Sequence, residues 1–486
     1  MIQGVLIALL ISLGLSDSLA GLPLLRGRSD GSVALFVCCT LAGVALFVQL
    51  VMMVCGRRLE RTGRIRNLAI ADGVLSASRL VVLAVHVVAA FGFGWLGVVR
   101  RMIGGDWVLL DEAVAMLPAV LTILAGWASY YAIDRRLREA SLLGLLDAGD
   151  PVHSLPTLGQ YVAEQARHHV LLVLVPISFL AAWTESFERV RPWLAGKLDA
   201  VPAIAPIVLG AMHFGGVVLL LAFMPLALKF IWRTTSLGPG ALRDRLDALC
   251  RRQGVRCRDY LVWHTHTGMI NGALVGIIPR LRYILLTEPL LERLPIDQVE
   301  AVMAHEVAHA RRWHLPWLLV VLIATLGLSF TAAATALTLG VNWLNLPVGD
   351  TVYGLANVVS LLAAIGIALV VFSWVSRKFE RQADAFGAQH LSGMLRRGHE
   401  AGAVVEPHAA EAMIGALGAV ASINRIPLRK FSWRHGSIRG RQQRLREIVG
   451  MPLFPLPIDR QVRWIKAAAG AALLVMIGLA LIPGGG

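Results

Sequence analysis

The chain has 486 residues, 56% of them hydrophobic and only 16% charged, with a formal net charge of +15. Soluble domains carry about 25% charged residues, so this composition excludes an ordinary soluble enzyme and makes the bilayer the solvent for much of the chain. The basic excess does not point to nucleic acid, because Lys and Arg lie between apolar segments, as in the cytoplasmic loops of multi-span proteins.

Of the first 24 residues, only Val5 to Leu15 are apolar, and Ser16, Asp17 and Ser18 break the run. A signal peptide ending at Ala20 has no Lys or Arg before its apolar core, so a weak first span is the expectation. Apolar runs long enough to cross a membrane come next, near 33–55, 80–99, 113–133, 169–184, 203–232, 315–342, 352–375 and 466–483. Trp95, Trp127, Trp183, Trp232, Trp343, Trp374 and Trp464 stand at or near their ends, where aromatic belts form. The fold class expected is mainly α: a polytopic helix bundle of eight or nine spans with a small α+β zincin-like catalytic domain.

The domain order expected is a multi-span membrane domain over 1–232, a first catalytic segment over 233–314 and a two-span hairpin over 315–375. A second catalytic segment over 376–464 and a last span over 465–486 complete the chain. Arg57, Arg58, Arg61, Arg64 and Arg66 assign their loop to the cytosol, and counting spans from there places 233–314 and 376–464 inside as well. The connection Asn342 to Thr351, without Lys or Arg, falls outside.

Within 233–314 the pattern predicts a helix near 240–253, then strands at Leu261–His266, Met269–Ile277 and Tyr283–Leu286. Thr287 is placed to cap a following helix with Pro289 in its first turn. A further helix starts at Pro295 and Asp297 and runs through Val299, Val302, Met303, Val307 and Ala310.

That last helix contains His305-Glu306-Val307-Ala308-His309. Residues four apart share a helical face, so both imidazoles can reach one Zn²⁺ with Glu306 beside them as a proton acceptor. A catalytic zinc needs a third protein ligand. Glu380 and Asp384, again four apart, offer one carboxylate for the metal and one to hold a ligand histidine. The remaining histidines read more plainly. His264 and His266 read as partly exposed strand residues, and His86 and His213 as groups packed inside the bundle. Cys38, Cys39 and Cys55 lie in an apolar stretch, Cys250 and Cys257 fit no common zinc spacing, and no disulfide framework is expected.

Four motifs together resemble the membrane zinc metalloprotease family that includes the type I CAAX prenyl proteases and the bacterial heat-shock-type membrane proteases. They are Asn271-Gly272-Ala273, the His305 motif, Ser376-Arg377 with Glu380, Ala383 and Asp384, and His435-Gly436 with Arg441. The resemblance covers roughly residues 240–450. It implies that His305, His309 and Glu380 hold one zinc ion per chain and that Asp384 supports a ligand. It also implies that Glu306 and His435 are catalytic and that Asn271 and Arg441 bind substrate. Gly436 stands where the family usually has Pro, and the Asn271 strand has one residue more than the family's. The implied function is an integral membrane zinc metalloendopeptidase acting on a peptide or protein substrate. A ligand-triggered receptor protease and a non-catalytic scaffold are the alternatives. The penicillin-sensing type of receptor needs Ser-x-x-Lys, and no serine here has Lys three residues on.

Overall fold

The structure is a computed structural model, which describes residues 2–18, 28–147, 154–202, 204–264, 270–343, 350–393, 402–424 and 426–481. Among these, eight helices are long and apolar enough to cross a membrane. The chain divides into two units, Met1–Arg233 and Thr234–Gly486.

The first unit is helical: α1 (Ile2–Ser18), α2 (Asp30–Thr62), α3 (Ile65–Val87), α4 (Trp95–Ile103), α5 (Leu110–Asp147), α6 (Leu158–Gln165), α7 (Leu172–Lys197) and α8 (Ala205–Ile231). It supplies five of the eight candidate spans, and α1 is an additional shorter apolar helix. The apolar run expected at 80–99 is displaced: the span covers Arg66–Gly92 and ends in a π-helical turn, Val88–Gly92, before a left-handed Gly94. The arginine-rich stretch is not an open loop. The helix α2 runs to Thr62 and α3 begins at Ile65, so Arg57, Arg58 and Arg61 ride on a helix end. Trp95 and Trp127 do not sit at a lipid interface; both are buried, and the Trp95 indole donates to the Ala115 carbonyl. His86 is buried and His213 packs on Phe187 (ring centroids 4.8 Å apart), as groups held inside a bundle do.

The second unit holds three candidate spans and a four-stranded sheet. The strands are β1 (Thr234–Ser236), β2 (Asp259–Trp263), β3 (Gly272–Val275) and β4 (Tyr283–Thr287), in spatial order β1-β2-β4-β3. The β1–β2 and β3–β4 pairs are antiparallel and β2–β4 is parallel, which leaves β3 as an edge strand. The helix α9 (Ala241–Arg252) precedes β2, and α10 (Glu288–Arg293) and α11 (Ile296–Arg311) follow β4. All of β4 is buried, and Tyr260, Ile284 and Leu286 form one core with Leu246, Leu249, Val299, Met303 and Val307. The Thr287 side chain does not cap α10. It accepts from the Asn271 N–H and donates to the Asn271 carbonyl instead, at 2.9 and 3.1 Å, and so fixes the entry of β3. His264 pairs with Glu288 and Thr235, while His266 lies outside the described residues.

The remaining helices are α12 (His314–Trp343), α13 (Asp350–Leu391), α14 (Pro407–Ile423), α15 (Ile438–Glu447) and α16 (Pro457–Leu481). The helix α13 has 42 residues. At 1.5 Å per residue it is about 63 Å long, roughly twice the hydrocarbon thickness. Its two halves differ as that length requires. Leu361, Leu362, Ile365, Leu369 and Val370 are exposed apolar residues, whereas Phe379, Glu380, Ala383, Asp384 and Phe386 are buried within the unit. Hydropathy ends the span at 375, but the helix continues unbroken to carry Glu380 and Asp384.

Candidate metal centre

Two helices of the second unit bring the candidate ligands together. On α11, Val299, Met303 and Val307 face the sheet, while Ala301, Ala304 and Ala308 are completely buried. Small residues there let α13 come close. The same economy appears on α13: a side chain at Gly387 would stand 3.2 Å from the Ala301 carbonyl oxygen and 3.4 Å from the Met413 sulfur. Four-residue spacing then turns His305 and His309 of α11, and Glu380 and Asp384 of α13, toward one another.

One ligand atom from each of His305, His309 and Glu380 lies within 4.8 Å of the other two. The two Nε2 atoms are 3.2 Å apart, and each is 3.7 Å from a Glu380 oxygen. Tetrahedral zinc with bonds near 2.05 Å sets neighbouring ligand atoms about 3.3 Å apart. Two neutral imidazoles and a carboxylate at these separations fit that ion.

Polar partners surround this triangle. Asp384 lies 2.9 Å from His305 Nδ1, on the ring's far side, and Arg441 grips Asp384 through two hydrogen bonds of 2.7 and 2.6 Å. Arg441 also stands 3.5 Å from Glu380, and His435 Nδ1 lies 3.1 Å from the other Glu380 oxygen. Arg441 is thus brought to a carboxylate that orients a ligand, whereas the resemblance implied a substrate contact. Glu306 accepts from the Leu274 N–H at 3.1 Å, on the free edge of β3. Gly272 fits close to this helix, since a Cβ there would meet Val302 at 3.0 Å. Asn271 is exposed at the start of that edge.

Residues 240–448 match the sequence profile described as Peptidase family M48. That segment is an M48 peptidase domain. Among solved structures, the crystal structure of S. mikatae Ste24p is similar at 17% identity and a TM-score of 0.42, covering 85% of this chain and 98% of that one. A search of curated proteins finds no match to the chain.

The M48 domain contains site residues that no motif in the sequence marks. His314 Nδ1 lies 3.0 Å from His309 Nδ1, and its Nε2 is 2.9 Å from the Gln382 carbonyl oxygen. Gln382 in turn donates to Asp459 at 2.7 Å. Asn424 clamps the strand entry, accepting from the Ile270 N–H and donating to the Ile270 carbonyl at 2.9 and 2.8 Å. Helical spacing gives no hint of His314, which follows His309 by five residues and belongs to the next helix.

The electrostatics of the M48 domain separate the two ligand histidines. Burial acts to lower both. In His305 the contact and charge of Asp384 overcome it, with Glu380 adding to them, so the ring is raised above its ordinary value. His309 has no carboxylate on Nδ1, and burial with the nearby His305 pushes it down to about 4. Burial raises the Glu306 carboxyl, which is the direction a proton acceptor and donor near neutral pH needs.

Proposed function

We propose that the M48 domain makes this chain a zinc-dependent membrane endopeptidase, with His305, His309 and Glu380 as the metal ligands. The observation that carries the reading is the convergence of three ligand atoms from two helices, within 4.8 Å, beside Glu306. When bound, zinc supplies Lewis acidity to the scissile carbonyl and to the attacking water.

The chain's own residues do the rest. Glu306 takes a proton from the water and returns it to the leaving amine, a shuttle that its raised carboxyl suits. Asp384, held by Arg441, keeps the His305 ring turned so that Nε2 is free for the metal. The edge of β3 offers its outward backbone groups to an extended peptide, and the Leu274 N–H now on Glu306 is one of them. His435 stands close enough to Glu380 to donate toward the carbonyl oxygen of a bound substrate, and Asn271 lies where the peptide would run. The substrate is a peptide or protein that reaches the catalytic domain at the cytosolic membrane face, the side assigned by the arginines between Arg57 and Arg66.

The test is Glu306→Gln in the purified full-length chain. The variant is expected to bind zinc as the wild type does and to lose about 10²–10⁴-fold in peptide hydrolysis. Wild-type hydrolysis by zinc-loaded Glu306→Gln would overturn the assignment.

A further inference from the structure

A buried polar chain leads away from the ligand His309. His314 is 1% exposed, and its ring stacks on Phe379 with centroids 4.4 Å apart and planes at 15°. Its two nitrogens bridge His309 Nδ1 and the Gln382 carbonyl oxygen at 3.0 and 2.9 Å. The Gln382 amide nitrogen donates to Asp459 Oδ1 at 2.7 Å. Asp459 also accepts from the Leu456 N–H at 3.0 Å and faces Arg312 at 3.4 Å.

Backbone geometry brings His314 there. On a continuous helix, residues five apart point about 140° away from each other. Here Trp313 takes a left-handed φ of 55°, which ends α11 and starts α12 in a new direction. An aromatic residue rarely adopts that conformation. Its effect is to fold His314 back onto His309.

The hydrogen atoms in this chain can run one way only. A carboxylate facing Arg312 accepts, so Gln382 turns its NH₂ to Asp459 and its oxygen to His314. The oxygen needs a donor, so His314 carries its proton on Nε2. His314 Nδ1 is then an acceptor and requires the proton of His309 to be on Nδ1. That leaves a lone pair on His309 Nε2, the atom that faces His305 and Glu380.

We infer that His314 is a positioning residue that, through Gln382 and Asp459, fixes His309 in the tautomer able to bind the metal. It does for His309 what Asp384 does for His305. The inference rests on the proposed zinc reading, and the following experiment separates the two.

Zinc affinity is measured on the full-length detergent-solubilised protein by competition with a chromophoric chelator, per folded molecule. His314→Phe keeps the stacking ring and removes the acceptor; it is expected to weaken zinc binding about 10–100-fold. His314→Asn places an amide oxygen near the lost Nδ1 and should recover most of that loss. Gln382→Leu removes the partner of His314 Nε2 and should weaken binding about tenfold, which keeps the inference testable if His314→Phe does not fold. Wild-type affinity in His314→Phe, or an equal loss in His314→Phe and His314→Asn, would overturn it. His305→Ala is the control. If it loses zinc while His314→Phe does not, the role of His314 alone fails; if it keeps full zinc, the metal reading fails too.

Discussion

His305 and His309 are the same residue on the same helix face, yet they titrate in opposite directions because their partners differ. Asp384 raises the first against burial, and the second meets only other imidazoles on both nitrogens. Both must be neutral to bind zinc, so the proton on His305 is the competitor. Since His305 is raised above 6.5, zinc affinity should be complete above its folded value and fall as pH drops through it. For the metal-free protein the sign reverses: the raised His305 adds stability below its unfolded value near 6.5, and that stability is lost as pH rises through the folded value. Thermal unfolding across this range with and without zinc checks both signs, and a zinc-dependent stabilisation that grows toward acid pH would contradict them. At this scale the five-residue His305 motif and the paired acids at 380 and 384 were legible in the sequence, because each is a local helical spacing. His314, Gln382, Asp459 and Asn424 were not, because their roles arise from a left-handed turn and from contacts between distant segments.

The two ligand helices depend on close approach. Gly387 of α13 lies against Ala301 of α11, where added atoms would stand 3.2 Å from a carbonyl oxygen that cannot move without its helix. Gly387→Val should therefore push α13 away from α11, costing about 1–3 kcal/mol of stability and part of the zinc affinity. Chemical denaturation with zinc titration measures both, and wild-type values for each would show that the approach tolerates a side chain. The spacing in the sequence anticipates a helix around 376–384 but not that it continues the preceding span. An apolar run and a charged run look like separate elements, while the backbone hydrogen bonds of one helix ignore that change of composition. The same blindness displaced the second span, since Arg66, Asp72 and Arg79 lie within a helix that hydropathy alone begins at residue 80. The opposite error occurred at Thr287, where a good capping residue served the neighbouring strand instead.

For the molecule as a whole, the apolar composition correctly required a multi-span helical protein, and the small sheet followed from three short β-branched runs. Its orientation is a separate proposal. Gly436 is a poor labelling site because it holds a left-handed φ of 77°, which a cysteine would strain. Arg434 is exposed in the same segment and serves better. In a background lacking the native cysteines, Arg434→Cys should resist an impermeant thiol reagent in intact cells, whereas a cysteine at position 349, outside the described residues, should react. The reverse labelling would turn the catalytic domain outward and change the substrates it could meet.

The ligand assignment is the claim on which the rest depends, and metal analysis of the purified chain tests it most directly. The wild type should hold one zinc per chain, Glu306→Gln should hold the same, and His305→Ala and Glu380→Ala should each lose it. Full zinc in both His305→Ala and Glu380→Ala would contradict the account.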